Sequence, residues 1–217
     1  MTDTIDGERI ISVMERVIKR VLDMRDELNQ FDAAMGDGDT GITTTKAANG
    51  LKEYIETNPS TDDLGMFFFN AGKAINKAAS STLGTITATA LMKAGKEAKG
   101  MSSLDLSTLA KMLTAADIGV QERGKAKPGD KTVVDALHPA AEAFAKSVDE
   151  GQDANTVANT MLEAARKGRD AAKSLRSKMG RGAWVGERTE NKYDPGTVLF
   201  VSILEAILDV DSDNPSI

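Results

Sequence analysis

The chain has no cysteine among its 217 residues. Disulfide frameworks, zinc–thiolate centres and thiol catalysis are excluded from the outset. Basic residues are outnumbered: 27 Lys and Arg against 33 Asp and Glu give a formal charge of −6, with no clustered basic run. A nucleic-acid partner needs a basic face, so that class is excluded too. Long apolar runs are also missing. The longest, VLFVSILEAILDV at 198–210, is too short to span a bilayer and contains Glu205. The opening MTDTIDGERI is acidic and polar, unlike a signal peptide. A soluble, cytoplasmic protein without a membrane or nucleic-acid partner is expected. Aromatic residues make up only 4%, while Ala, Leu, Met, Lys and Glu are plentiful, a mixture that favours helices. The apolar share of 41% is ordinary for a globular chain and is enough for one domain, 1–217, with a sizeable core.

Helical spacing of apolar residues runs almost throughout. Ile10, Met14, Val17, Val21, Met24 and Leu28 form one stripe, read as a single first helix. Further helices are expected over about 42–55 (ending at TNPS), 62–77 and 83–99. The next is capped by Ser102 or Ser103 and carries Leu106, Leu109, Leu113 and Val120. After a Gly/Pro loop at 123–132 come helices over about 133–148, kinked by Pro139, then 154–178, and finally 195–210 with Pro195 in the first turn. No segment alternates convincingly as a strand. The fold expected is all-α, with about eight amphipathic helices.

The most informative loop is GDGDTG at 36–41. It fits the G-x-G-x-x-G dinucleotide pattern, but that fingerprint needs a preceding strand, and here an amphipathic helix precedes it. GVQERGKA at 119–126 falls one residue short of a Walker A loop and places Ala126 where Ser or Thr would hold magnesium. A calcium EF-hand fails as well, because the position that needs Gly is Ile42 and the one that needs Glu is Ala48. What remains is three carboxylates within eight residues, Asp32, Asp37 and Asp39. Two carboxylates about 6 Å apart repel by roughly 1–3 kcal/mol. Such a loop either points its acids into water or holds cations between them. Hard oxygens without His or Cys nearby suit Mg²⁺, which commonly binds substrate phosphates as well.

Other loops add to this. AASSTLGT at 78–85 opens a helix with Ser80, Ser81 and Thr82, giving hydroxyls and N–H groups at a positive helix end, although an ordinary N-cap has the same residues. GRGAWVGER at 180–188 and YDPG at 193–196 contribute an arginine, a tryptophan and a tight turn.

In order, FDAAMGDGDTG, AASSTLGT, ERGKAKPGDKTVVDAL, GRGAWVGER and DPG resemble the nucleotide-binding L subunit of bacterial dihydroxyacetone kinases, over nearly the whole chain. The resemblance implies an up-and-down barrel of eight antiparallel helices with ADP or ATP at one rim, held through two Mg²⁺ ions. By motif it makes Asp32, Asp37 and Asp39 the metal ligands. It brings Thr40, Gly41, Thr43 and the Ser80–Ser81–Thr82 helix start near the phosphates. Gly124 and Val133 fall near the adenine, and Arg181, Asp194 and Gly196 complete the pocket. The implied chemistry is phosphoryl transfer, catalysed mainly by positioning and charge neutralisation. The ketose would be held covalently on a histidine of a separate K subunit, and a phosphotransferase-system M subunit would recharge bound ADP if the nucleotide stays as a coenzyme. The one histidine here, His138, lies in an apolar helix beside Pro139 and reads as a core or helix-surface residue.

Three departures mark a divergent branch. Thr40 stands where many members have His, and DGDTG is similar to the first domain of bacterial fatty-acid kinases. AASSTLGT is shorter than the usual glycine-rich loop, and ENKYDPG lacks a histidine before its turn. Fatty-acid kinases carry further domains after this barrel, and this sequence ends at Ile217. Alternatives are another small sugar or an acyl acceptor, or a nucleotide-state sensor that regulates a partner protein.

Overall fold

The computed structural model describes residues 4–59 and 61–215. Residues 1–3, 60 and 216–217, including the end of the turn expected at TNPS, lie outside the described residues. Among the described residues there are ten α-helices: α1 (Gly7–Asp23), α2 (Arg25–Ala33), α3 (Thr40–Thr57), α4 (Leu64–Ala78), α5 (Thr82–Glu97), α6 (Leu106–Gly124), α7 (Val134–Asp149), α8 (Ala154–Ala172), the short α9 (Gly182–Val185) and α10 (Pro195–Leu208). Each long helix packs on its neighbour in chain order from α3 to α8. α10 packs on both α8 and α1, and α1 on α3, so the row closes into a ring. The all-α expectation holds, and the helices of the ring number eight when α1 and α2 are taken as one bent rod.

Short connections between antiparallel neighbours divide the loops between two ends. One end carries the α2–α3, α4–α5, α6–α7 and α8–α10 connections, and these contain every loop motif singled out in the sequence. At the other end a two-residue antiparallel bridge joins β1 (Ile5–Asp6) to β2 (Ser103–Leu104). No helix among the described residues is long and apolar enough to cross a membrane.

Local details correct three expectations. The first helix breaks at Met24, although the buried stripe of Val21, Met24, Leu28 and Phe31 continues through the break. Both segments face the same core, so periodicity alone reads them as one. The cap of α6 is Asp105, whose carboxylate accepts the Thr108 N–H at 2.7 Å, rather than Ser102 or Ser103, because Ser103 is taken up in the bridge. α8 ends at Ala172 and not near Lys178, since the carbonyls of Lys173 and Leu175 turn aside to accept hydrogen bonds from Lys131. α7 continues as one helix through Pro139. The Asp135 carbonyl, which Pro139 leaves without a helical donor, faces Gly168 of α8, where a Cβ would stand only 2.1 Å away.

The core is built from aliphatic and small residues with few rings. Phe67 is the largest fully buried side chain and lies between Tyr54 and Phe68, with ring centroids 5.4 and 6.0 Å away. Where α4 and α5 cross, Gly65 and Gly95 bring the two backbones together. Glu205, inside the apolar α10, is fully buried, and Arg166 reaches it at 2.8 Å and Arg20 at 3.6 Å. The segment after α10 folds back over this pair: the Asp213 N–H donates to Glu205, and Asn214 bridges Ser202 and Glu27.

Candidate functional site

The rim is built on backbone that the side chains fix first. Asp32, in the last turn of α2, accepts the N–H groups of Asp39 and Thr40 at 2.9 and 3.0 Å through one carboxylate oxygen. Asn29 accepts the Gly41 N–H at 2.8 Å. These two side chains satisfy donors that a helix start leaves unpaired, and they close the GDGDT loop onto α2. Gly41 is buried with its Cα against the Arg25 carbonyl, which a Cβ would approach to 1.9 Å. The glycine therefore serves α2–α3 contact, and the Thr40 and Gly41 N–H groups are already engaged. The Thr43 N–H donates to the Asp39 carbonyl. The hydroxyls of Thr40 and Thr43 make no hydrogen bond among the described residues and remain available.

Asp32, Asp37 and Asp39 each offer one carboxylate oxygen, all within 4.8 Å of one another. Lying against Asp37 and, at 3.3 Å, Asp39 is Arg181 from the distant 180–188 loop. The donor set is hard and anionic, and a cationic group is drawn into it. Both features fit a divalent metal ion such as Mg²⁺.

A second part of the rim is a polar cleft of about 620 Å³ lined by Asn76, Ser80, Ser81, Thr82, Thr85, Ile86 and Arg123. Ser81 caps α5 by accepting the Gly84 N–H at 3.0 Å, while Ser80 and Thr82 are exposed at its mouth. Gly124 abuts Ile86, where its Cβ would stand 3.4 Å from Ile86 Cδ1. Arg123 and Ile86 were not foreseen from the sequence. Arg123 makes no ion pair among the described residues and presents a free guanidinium beside the three hydroxyls. Its signal is slight, an arginine at the end of a helix in ERGKA.

The third part joins the α6–α7 loop to the start of α10. Gly196 sits against Val133, its Cβ position 3.3 Å from that of Val133. Ile86, Val133, Met179 and Phe200 pack on one small apolar cluster around Val120, Ala126, Val134 and Leu137, which forms the floor between the cleft and this turn. Asp194 caps α10 by accepting the Thr197 N–H at 2.8 Å. Burial pushes its carboxyl up to about 7. The Thr197 N–H opposes this, nearby Asp135 adds to it, and Lys131 and the Gly196 N–H pull it back. By surface area Asp194 is only half-buried, but protein atoms crowd its carboxyl densely enough for desolvation to dominate.

This pKa has a testable sign. The folded chain holds the proton more tightly than the unfolded one, whose value is near 3.8. The stabilisation is complete below that value and is lost as pH rises through about 7. Asp194→Asn keeps a capping side chain but cannot ionise. Its melting temperature is expected to fall less than that of wild type between pH 5 and 8; parallel curves would remove Asp194 as the source.

Lys131 holds the third part together. It is 1% exposed and donates from Nζ to the carbonyls of Lys173 (2.8 Å), Leu175 (2.9 Å) and Thr189 (2.6 Å). Desolvation lowers its pKa, and Asp194, Glu190 and Asp135 counter this. His138 is elsewhere, between α6 and α7, with Nδ1 2.8 Å from Asp117 Oδ2. Gln121 holds the other side of that carboxylate, so this histidine is a packing residue of the helix pair.

The expected residues thus stand in three groups at one end of the ring: Asp32, Asp37, Asp39, Thr40, Gly41, Thr43 and Arg181; Ser80, Ser81, Thr82 and Gly124; and Val133, Asp194 and Gly196.

The DAK2 domain family model matches residues 34–209. The human triokinase/FMN cyclase is 28% identical over 204 residues, covering 94% of this chain; the chain spans only 35% of that relative's length. The ADP-binding subunit DhaL of a PEP-dependent dihydroxyacetone kinase from Listeria innocua is 28% identical over 194 residues, 89% of this chain and 91% of that one. The crystal structure of the dihydroxyacetone kinase from C. freundii in complex with AMP-PNP and Mg²⁺ superposes with a TM-score of 0.69 at 21% identity, over 96% of this chain and 35% of that one.

Proposed function

The chain belongs to the DAK2-domain family, and from that premise we propose that it is a single nucleotide-binding domain acting as the ADP- or ATP-holding subunit of a cytoplasmic dihydroxyacetone-type kinase. The observation that carries the proposal is the triple-aspartate cluster at the same rim as the hydroxyl-lined cleft. Asp32, Asp37 and Asp39 would hold Mg²⁺, two ions by the family resemblance. Bound magnesium supplies positive charge to phosphate oxygens and so eases phosphoryl transfer. The chain's own residues orient the nucleotide. The hydroxyls of Thr40, Thr43, Ser80 and Thr82, with the Arg123 guanidinium, face the polyphosphate. Ile86, Gly124 and Val133 form the apolar side for the base, and the turn of Asp194 and Gly196 borders it. Arg181 brings a further positive charge from its loop.

The phosphoryl acceptor is a small ketose presented by a separate K subunit. His138 is engaged with Asp117 and Gln121, so no histidine of this chain is free to hold a ketose covalently. An M subunit of the phosphotransferase system would recharge a resident ADP. The acceptor differs among relatives, one of which is named for both triokinase and FMN cyclase activity, and Thr40 and the short AASSTLGT loop fit a second reading with another small acceptor.

The test is nucleotide binding by the purified chain. Mg-ADP or Mg-ATP is expected to raise the melting temperature, and nucleotide with EDTA to raise it far less. A chain whose melt responds to neither nucleotide would overturn the proposal. Native mass spectrometry of protein purified without added nucleotide then separates a retained ADP coenzyme from an exchanging ATP.

A further inference from the structure

Residues 180–186 form a segment tied firmly at both ends and barely between them. At its base, the Ser177 N–H donates to Thr189 Oγ1 at 3.0 Å, Lys131 holds the Thr189 carbonyl, and Arg176 pairs with Glu187 and Glu190. Between these anchors, α9 buries no residue. Gly180 and Gly186 bound it with φ of +58° and +57°, each with open space around the Cβ position. Among the described residues, the only hydrogen bond or ion pair from this segment to anything outside 177–190 is that of Arg181 to Asp37 and Asp39. At the segment's outer face is Trp184, the chain's one tryptophan, 92% exposed.

Resting on the reading of Asp32, Asp37 and Asp39 as metal ligands, we propose that Arg181 is the resident counter-cation of this cluster and that a divalent ion displaces it, releasing the 180–186 segment and Trp184 with it. Three carboxylates against one guanidinium leave a surplus of negative charge, so the cluster retains a strong pull on a divalent ion. Arg181 and the ion draw on the same two carboxylates, those of Asp37 and Asp39, and a guanidinium lying against them stands in the ion's way. The Arg181 side chain is 65% exposed. It regains hydration at little cost when it leaves, and an ion pair this exposed is weak enough to exchange. The two flanking glycines let the backbone follow without steric penalty. Occupancy of the site is thereby displayed at the rim surface by the position of one loop.

The experiment uses the full chain without nucleotide and Mn²⁺ as the probe, with the free ion followed by electron paramagnetic resonance. Arg181→Gln is expected to bind Mn²⁺ about tenfold more tightly than wild type, the combined worth of two exposed ion pairs, while Arg181→Lys stays near wild type. Trp184 fluorescence and its quenching are expected to change on adding Mg²⁺ to wild type, and to be already shifted and insensitive to Mg²⁺ in Arg181→Gln. Equal Mn²⁺ affinities in wild type and Arg181→Gln, or the same Mg²⁺-induced Trp184 change in both, would overturn the proposal. Asp37→Asn separates the two readings. If it abolishes Mn²⁺ binding while Arg181→Gln changes nothing, the metal site stands and the displacement fails; if it leaves Mn²⁺ binding intact, the metal site falls and the displacement with it.

Discussion

Asp37→Asn is expected to lower the affinity for Mg-ADP by roughly a hundredfold or more, since even partners one layer removed from a metal contribute ten- to hundredfold. The fold should hardly notice. Asp37 is exposed, caps no helix and accepts no backbone N–H among the described residues; its one partner is Arg181. Losing a half-exposed ion pair costs at most about 1 kcal/mol, and relief of repulsion from Asp32 and Asp39 offsets part of that. Asp32 behaves differently. It holds two N–H groups of the loop, so its removal mixes loss of metal with loss of loop structure. Calorimetric titration with Mg-ADP, paired with melts in the presence and absence of ligand, checks the Asp37 prediction. A variant that gains the same ligand-induced shift as wild type would take Asp37 out of the metal site.

Lys131→Met is expected to destabilise the fold by about 3 kcal/mol, because three carbonyls lose a charged donor in a buried place. Methionine fills similar space, so cavity formation contributes little, and the loss reads the hydrogen bonds themselves. Those bonds join the end of α8, the turn at Leu175 and the start of the Thr189–Asp194 stretch. The variant should therefore also bind Mg-ADP more weakly, through disorder of the α8–α10 connection. Urea unfolding monitored by circular dichroism measures the stability term. A loss below about 1 kcal/mol would mean that water replaces the ammonium at all three carbonyls.

Much of the architecture is legible in the sequence because it rests on local information. Apolar spacing marks the helices, and glycine and proline mark their ends. The break at Met24 is hidden because no proline or glycine produces it and the buried stripe runs on. The early end of α8 is hidden for another reason: a lysine some 42 residues back claims the carbonyls that would extend the helix. The same division applies to the rim. The three aspartates lie within eight residues, and their grouping can be read directly. The contact of Arg181 with Asp39 spans 142 residues and depends on the ring having closed. Ile86 and Arg123 have no motif to announce them; only the antiparallel arrangement of α5 and α6 brings the start of one beside the end of the other.

The ring also dictates an order of assembly. From α3 to α8 each helix finds its partner in the next stretch of chain, so those contacts form with little loop entropy to overcome. The seam between α1 and α10 joins the far ends of the chain. Arg16 donates to the carbonyls of Ala206 and Ile207, and Arg20 faces buried Glu205, across about 190 residues. Closing this seam is the high-contact-order step, and with it the α2–α3 loop of Asp37 and Asp39 comes to lie against the 180–188 loop that carries Arg181. Refolding followed through the helices should run ahead of refolding followed through nucleotide capture, because the rim is completed only when the ring closes.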